Sequence, residues 1–200
     1  VYRGKSLHNV YAFSYICKNI FLFKKLILII QRVITMLIAH LPSGYLLAHW
    51  IEQKYPYYIS RKAILWATLS GAVFPDLDLF YFFFVDQQQH HHHIYFMHWP
   101  VIWASLALLS WFIYQFKATK MLFLAQCFFF AGVLHVILDS LVGDIWWLMP
   151  WIDQPFALAT VPTISKHWWV SFILHWSFLV EIVICLFALR LGLKQQSKKD

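Results

Sequence analysis

The stretch AILWATLSGAVFPDLDLFYFFFV, Ala63–Val85, is a long run of mostly apolar residues. A helix needs roughly 20 apolar residues to cross the ~30 Å hydrocarbon core of a bilayer, and this stretch is long enough. Apart from Asp76 and Asp78, it carries no charged side chain. The sequence therefore predicts a membrane span that contains two carboxylates.

Composition extends this interpretation to the whole chain. Of the 200 residues, 61% are hydrophobic and only 12% are charged, whereas soluble proteins carry about 25% charged residues. The formal net charge of +7 would also suit a nucleic-acid-binding protein. The aromatic-rich apolar runs instead favour basic residues that anchor cytoplasmic loops. We predict a single membrane-embedded bundle in contact with membrane lipid, with no nucleic acid partner.

Four segments are long enough to be full spans: Ala63–Val85, Trp99–Phe116, Met121–Val142 and Trp168–Leu191. A shorter apolar segment, Met36–Ile51, contains Pro42-Ser43-Gly44. Because proline disrupts a helix interior, this segment is predicted to be a broken helix or a re-entrant half-span. The predicted fold class is an all-α polytopic membrane bundle with about four full spans and a short broken N-terminal helix.

The basic residues predict the orientation of this bundle. If the spans alternate in direction, these basic residues fall on one side: Lys54, Arg61, Lys62, Lys117, Lys120, Arg190, Lys194, Lys198 and Lys199. Between residues 36 and 200, only Lys166 falls on the opposite side. By the positive-inside rule the basic side is cytoplasmic, which predicts a multi-pass membrane protein. The loops Asp86–His98 and Gly143–His167 then face outward.

Residues 1–35 fit this plan poorly, because Lys24, Lys25 and Arg32 interrupt their apolar run. We interpret residues 1–35 as an N-terminal extension, either sequence upstream of a start at Met36 or an amphipathic arm. Residues 36–193 form the predicted membrane-embedded domain, and residues 194–200 a basic cytoplasmic tail.

Three groups of ionisable residues lie in or beside the apolar spans. Asp76 and Asp78 follow a proline that loosens their helix, and His135 and Asp139 are four residues apart on one predicted helix face. In the outward loop, DQQQHHHHIYFMHW contains His93 and His98 in an HxxxxH spacing.

Depth links these groups, because independent segments place them at one level toward the outer face. His40 in the short first segment reaches a similar level if that segment ends inside at Ile51. Charges inside a membrane usually face a cavity or a partner, and neutral imidazole and carboxylate oxygen suit Zn²⁺, Mn²⁺ or Fe²⁺. The pattern predicts a divalent metal site with zinc favoured.

Each group also has a purely structural interpretation. The histidine run resembles a polar loop or a tag, Asp76 and Asp78 a helix-capping pair, and His135 with Asp139 a buried structural pair. His175 and Glu181 are six residues apart, which is poor for chelation, so hydrogen bonding inside the bundle is favoured for them. A metal site explains all the groups together.

The order H…PDLD…HxxxxH…HxxxD resembles the membrane-bound metal-dependent hydrolase family, also described as LexA-binding, inner-membrane-associated hydrolases. The matching pieces are AHLPSGYLLAH, FPDLD, HIYFMH and LHVILDSLVGDIWWLMPW. A more distant likeness is to zinc-dependent phospholipases C, which also use an all-helical fold and an HxxxD helix. The small polar residues usual around the family's HxxxxH motif are replaced here by Ile94, Tyr95, Met97 and Trp99.

The leading hypothesis is a membrane metal-dependent hydrolase of a phosphoester or ester in a lipid or lipid-linked substrate at the outer face, acting through a metal-activated water. The predicted metal ligands are His40, Asp76, Asp78, His93, His98, His135 and Asp139. Asp78 or Asp144 is the predicted general base, and His92, His175 and Glu181 are predicted to support the ligands from outside. The alternatives are a divalent-cation transporter and a non-catalytic scaffold that binds metal for stability.

Overall fold

A computed structural model describes residues 38–56, 58–165 and 168–197 of the chain. Within these ranges the backbone forms helices and turns, with one isolated antiparallel bridge between Ile145 and Phe156. The predicted all-α class is therefore confirmed. The hypothesis for residues 1–35 falls outside the described residues.

The stretch that opens the sequence forms two helices joined at its proline. The Ser60 hydroxyl accepts a hydrogen bond from the backbone N–H of Ala63 and caps α2, Arg61–Val73. Pro75 lies in a 3-10 turn, Phe74–Leu77, and α3 continues from Asp78 to Phe84. The predicted loosening at the proline occurs, and it turns the side chains of Asp76 and Asp78 into the protein, where both are buried.

The prediction of a broken first helix is wrong. Residues 38–54 form one helix, α1, which continues through Pro42. Proline lacks the N–H that would bond the carbonyl four residues earlier, and here the Cys185 thiol donates to that carbonyl, on Ile38, at 3.2 Å. The Ser43 hydroxyl donates to the carbonyl of His40 at 2.7 Å. The Cys185 thiol thus takes the place of the backbone donor that the proline removes.

Helix α5, Lys120–Asp139, lies between α2 and α4, Pro100–Phe116. Two glycines allow the close packing. A Cβ on Gly71 would collide with the backbone oxygen of Phe128, and one on Gly132 would collide with the Trp103 ring. The helix axes approach at these points to distances that a larger residue would prevent.

The predicted span Trp168–Leu191 is not continuous, because α6, Trp168–Ile173, ends before α7, Ser177–Gln196. The His175 ring explains the break. Its Nδ1 lies 2.9 Å from the Ser177 hydroxyl and accepts from the Ser177 backbone N–H at 3.4 Å. A side chain therefore occupies a backbone donor that a continuous helix would pair with a carbonyl.

Two helical stretches of the described chain are long and apolar enough to cross a membrane, Arg61–Phe84 and Lys120–Asp139, and α4 is apolar but shorter. Large apolar side chains are also exposed on the outer faces of the helices. Phe116 is 77% exposed, Trp66 70% and Leu108 65%. Such a surface is costly in water and suits lipid. Four full spans remain a prediction.

The ends of α1, α2 and α5 that carry Lys54, Arg61 and Lys120 lie together at one end of the bundle. Near the basic end, Arg61 Nε lies 3.1 Å from Glu52 Oε2, and the Tyr114 hydroxyl donates to the Tyr58 hydroxyl at 3.0 Å. At the other end, the start of α1 meets the end of α5 through His40 and Asp139. The candidate ligands therefore collect at one end, as their predicted common depth requires.

Candidate metal centre

Six of the predicted ligands converge at this end of the bundle, and they come from five separate places in the chain. They are His40 on α1, Asp76 in the 3-10 turn, His93 and His98 in two short turns of the loop, and His135 and Asp139 on α5. The structure brings together residues that are up to 99 positions apart in sequence, between His40 and Asp139.

Asp139 lies at the centre of the cluster. Its Oδ1 is 3.0 Å from His40 Nε2, and its Oδ2 is 3.0 Å from His135 Nε2 and 3.6 Å from His98 Nε2. The i,i+4 spacing of His135 and Asp139 places them on one helix face. Each carboxylate oxygen therefore faces a different histidine or pair of histidines.

Two hydrogen bonds orient the central histidines. The Nδ1–H of His135 donates to the carbonyl of Ala72 at 2.7 Å, and the Nδ1–H of His98 donates to Asp78 Oδ2 at 2.5 Å. Both bonds turn Nε2 into the cluster, where it can bind a metal ion in place of a proton. Metal-binding histidines typically have this arrangement, in which the second ring nitrogen is held by a carbonyl or carboxylate.

Asp76 closes the other side of the cluster. Its Oδ1 is 3.7 Å from the Nε2 atoms of both His98 and His135. Nitrogen and oxygen ligands at ~2.0–2.1 Å from a tetrahedral zinc ion stand about 3.4 Å from one another. The observed separations of 3.0 to 3.7 Å around Asp76 and Asp139 match this spacing.

The ligand atoms form three overlapping groups, in each of which all atoms lie within 4.8 Å of one another: His40, His135 and Asp139; Asp76, His98 and His135; and His93, His98 and Asp139. Several atoms in them are buried without a hydrogen-bond partner among the described residues, including His98 Nε2, His135 Nε2 and Asp76 Oδ2. Buried polar atoms are normally satisfied. A divalent cation would satisfy these atoms together, so the residues fit a metal.

The electrostatics of the cluster favour a positive charge. Burial by itself lowers the pKa of His98, but the neighbouring carboxylates of Asp76 and Asp78 outweigh burial and raise the pKa to about 10. Farther out, burial lowers the pKa of His92 to about 3. The inner cluster therefore attracts a proton or a metal cation, while His92 is a neutral imidazole.

The histidine run divides into exposed and buried parts. His90 is exposed, and its Nδ1 lies 2.6 Å from Asp86 Oδ1. His92 and His93 are each only 7% exposed. The loop therefore turns the second half of the run inward, and a purely solvent-exposed tag does not describe it.

The remaining predicted site residues lie outside the three inner groups. Asp78 contacts the cluster through His98, and His175 bonds Ser177. Asp144 is exposed, and its charge acts on His91 at the rim. Glu181 on α7 is half-buried, and the charges of His40 and Asp139 act on its carboxylate.

Sequence reasoning missed two contributors because neither offers a ligand side chain. One is the Ala72 carbonyl that orients His135. The other is Gly143, where an added Cβ would lie 2.6 Å from Cε1 of His93. A glycine so close after the HxxxD motif was the only available signal.

Comparison with protein families places the chain. The family of YdjM inner membrane proteins matches residues 35–197, well over half of the sequence. The chain belongs to the YdjM family. This match supports the predicted membrane character and inner-membrane location, while the hydrolase activity and the phospholipase C likeness remain predictions. Neither the curated proteins nor the solved structures gave a significant match to this YdjM family member.

Proposed function

We propose that this protein is a metal-dependent hydrolase of the inner membrane that cleaves a phosphoester or ester bond in a lipid or lipid-linked substrate. The observation that carries the proposal is the convergence of four imidazoles and two carboxylates from five segments at one end of the bundle. The Nε2 atoms of His98 and His135 both face the carboxylates of Asp76 and Asp139 at 3.0 to 3.7 Å, and a cation bound between them would contact all four side chains at once.

The chain's own residues bind and orient the reacting groups. His40, Asp76, His93, His98, His135 and Asp139 would hold one or two divalent ions, with zinc favoured by the mixture of nitrogen and oxygen donors. When bound, such an ion supplies activation of water and polarisation of the scissile group's oxygen. Asp78 fixes the His98 ring and keeps its Nε2 available.

Asp76 is the carboxylate best placed to accept a proton. Its Oδ1 faces His98 and His135, while its Oδ2 is buried without a hydrogen-bond partner among the described residues. Asp78, one of the predicted bases, already accepts from His98, and Asp144, the other, is exposed. We therefore assign proton transfer to Asp76 Oδ2. Asp144 lies at the outer rim, beside His91, and takes no part in this step.

A lipid-like substrate suits the surroundings of the cluster. Exposed apolar side chains lie within four positions of the ligands along the chain: Phe80, four residues after Asp76, at 61% exposure and Phe96, two residues before His98, at 58%. These residues provide an apolar surface for acyl or isoprenoid chains close to the polar centre. The excess of basic residues at the opposite end favours a site on the non-cytoplasmic side of a multi-pass protein.

Transport of a cation is less well supported. A transport path needs ionisable groups along the membrane depth, but α2 has none between Lys62 and Asp76 and α5 has no charged residue between Lys120 and His135. A buried apolar cluster that includes Ile51, Ile64 and Phe123 fills the basic half of the bundle.

Hydrolysis can be tested with detergent-purified protein loaded with Zn²⁺ and a panel of fluorogenic phospholipids and lipid esters. We expect turnover by the unaltered protein, loss of at least 100-fold in Asp139→Asn, and little change in His49→Ala, which alters a histidine at the other end of α1. Equal turnover in Asp139→Asn would refute the proposal. Metal-dependent thermal stability without turnover on the whole panel would establish the scaffold alternative instead, and Zn²⁺ uptake by proteoliposomes would establish transport.

A further inference from the structure

A second group of potential ligands lies beside the inner cluster and is not needed to form it. One ring nitrogen from each of His91, His92 and His93 lies within 4.8 Å of the others. The ring centroids are 3.8 Å apart for His92 and His93 and 4.9 Å apart for His91 and His93. Three imidazoles from consecutive residues therefore face a common volume.

The state of these nitrogens points to a ligand. His92 is only 7% exposed, and its Nε2 has no hydrogen-bond partner among the described residues, nor does Nδ1 of the equally buried His93. His91 is exposed, and the carboxylate of Asp144 acts on it.

We propose that His91, His92 and His93 form a second divalent transition-metal site at the mouth of the inner cluster. Three imidazoles favour Zn²⁺, Co²⁺ or Ni²⁺ over Mg²⁺ and Ca²⁺, which prefer oxygen ligands. His93 belongs both to this set and to the inner set with His98 and Asp139. An ion at the outer site would therefore lie next to the inner site, with exposed His91 as its contact with solvent.

His90 provides the matched control within the same run. Its Nδ1 lies 2.6 Å from Asp86 Oδ1, its backbone N–H donates to Asp86 Oδ2 at 2.9 Å, and it belongs to none of the ligand groups. Replacing His90 changes the histidine content of the loop without removing a proposed ligand.

The test is titration of chelator-treated full-length protein in detergent with Co²⁺, followed by visible absorption and by the number of equivalents bound. We expect the His91→Ala variant and the His91→Ala/His92→Ala variant to bind one equivalent fewer than the unaltered protein, and His90→Ala to bind the full number. Because His91 is exposed, its replacement leaves no core cavity, and circular dichroism checks the fold of the double variant.

The inner and outer sites are distinguished by His135→Ala, which should lose inner Co²⁺ and retain the outer equivalent. Equal numbers of Co²⁺ equivalents in His91→Ala, in the double variant and in His90→Ala would overturn the outer site. Retention of the outer equivalent with no Co²⁺ lost in His135→Ala would leave the outer site standing and refute the inner metal centre.

Discussion

Asp78→Asn separates a direct metal ligand from a residue that orients one. In the structure the Asp78 carboxylate accepts the His98 Nδ1–H at 2.5 Å and reaches the cluster only through that ring. An asparagine oxygen can still accept this hydrogen bond, but it removes the negative charge that makes the imidazole a stronger ligand. Loss of such an outer partner typically weakens metal binding 10- to 100-fold, which corresponds to about 1.4–2.7 kcal/mol.

The assay is competition for Zn²⁺ between the purified protein and a chromophoric chelator of known affinity, read as both Kd and stoichiometry. We expect Asp78→Asn to raise Kd by 10- to 100-fold with unchanged stoichiometry. Asp139→Asn should lower the stoichiometry, because Asp139 contacts His40, His98 and His135 directly. An Asp78→Asn variant that loses an equivalent of Zn²⁺, or one with an unaltered Kd, would refute the orienting role.

Two further predictions concern the packing of the bundle. Gly71→Ala should lower the melting temperature in detergent, because the added Cβ collides with backbone and overpacking costs roughly 1–3 kcal/mol. The control is Gly192→Ala, whose added Cβ would have its nearest neighbour 3.7 Å away and which should raise the melting temperature slightly through helix propensity. Equal melting temperatures of the two variants would contradict the close contact at Gly71. Cys185→Ala should destabilise the protein by roughly 0.5–1 kcal/mol, since its thiol donates a hydrogen bond to the Ile38 carbonyl, which Pro42 leaves without a backbone donor. In a Pro42→Ala background the backbone N–H is restored, so the same replacement should cost measurably less; an identical cost in both backgrounds would exclude the compensation.

Much of the fold was predictable from local patterns. The apolar length of Ala63–Val85 and the proline within it predict one helical span loosened at Pro75, and the structure has two helices joined by a 3-10 turn at that position. Whether a helix continues or ends at a given residue was harder to predict. Continuation of α1 through Pro42 depends on a thiol 143 positions later in the chain, at Cys185, and no local pattern contains that information.

The candidate site shows the same division. The i,i+4 spacing of His135 and Asp139 is readable from the sequence, since helix geometry alone brings the two together. The hydrogen bond from His98 to Asp78 could not be predicted from the sequence. Asp76 and Asp78 have the same chemistry, and only the turn at Pro75 decides which of them faces the cluster. Ala72 contributes its backbone carbonyl. Every residue has such a carbonyl, so the pattern of side chains cannot predict this contact.

Metal content of the purified protein separates a metal centre from a cluster of purely structural histidines and carboxylates. We predict at least one Zn²⁺ per chain by inductively coupled plasma mass spectrometry after purification in detergent without added metal or affinity resin. The His135→Ala and Asp139→Ala variants should lose metal, and His49→Ala should retain it. Unchanged metal content in both His135→Ala and Asp139→Ala would refute the metal centre.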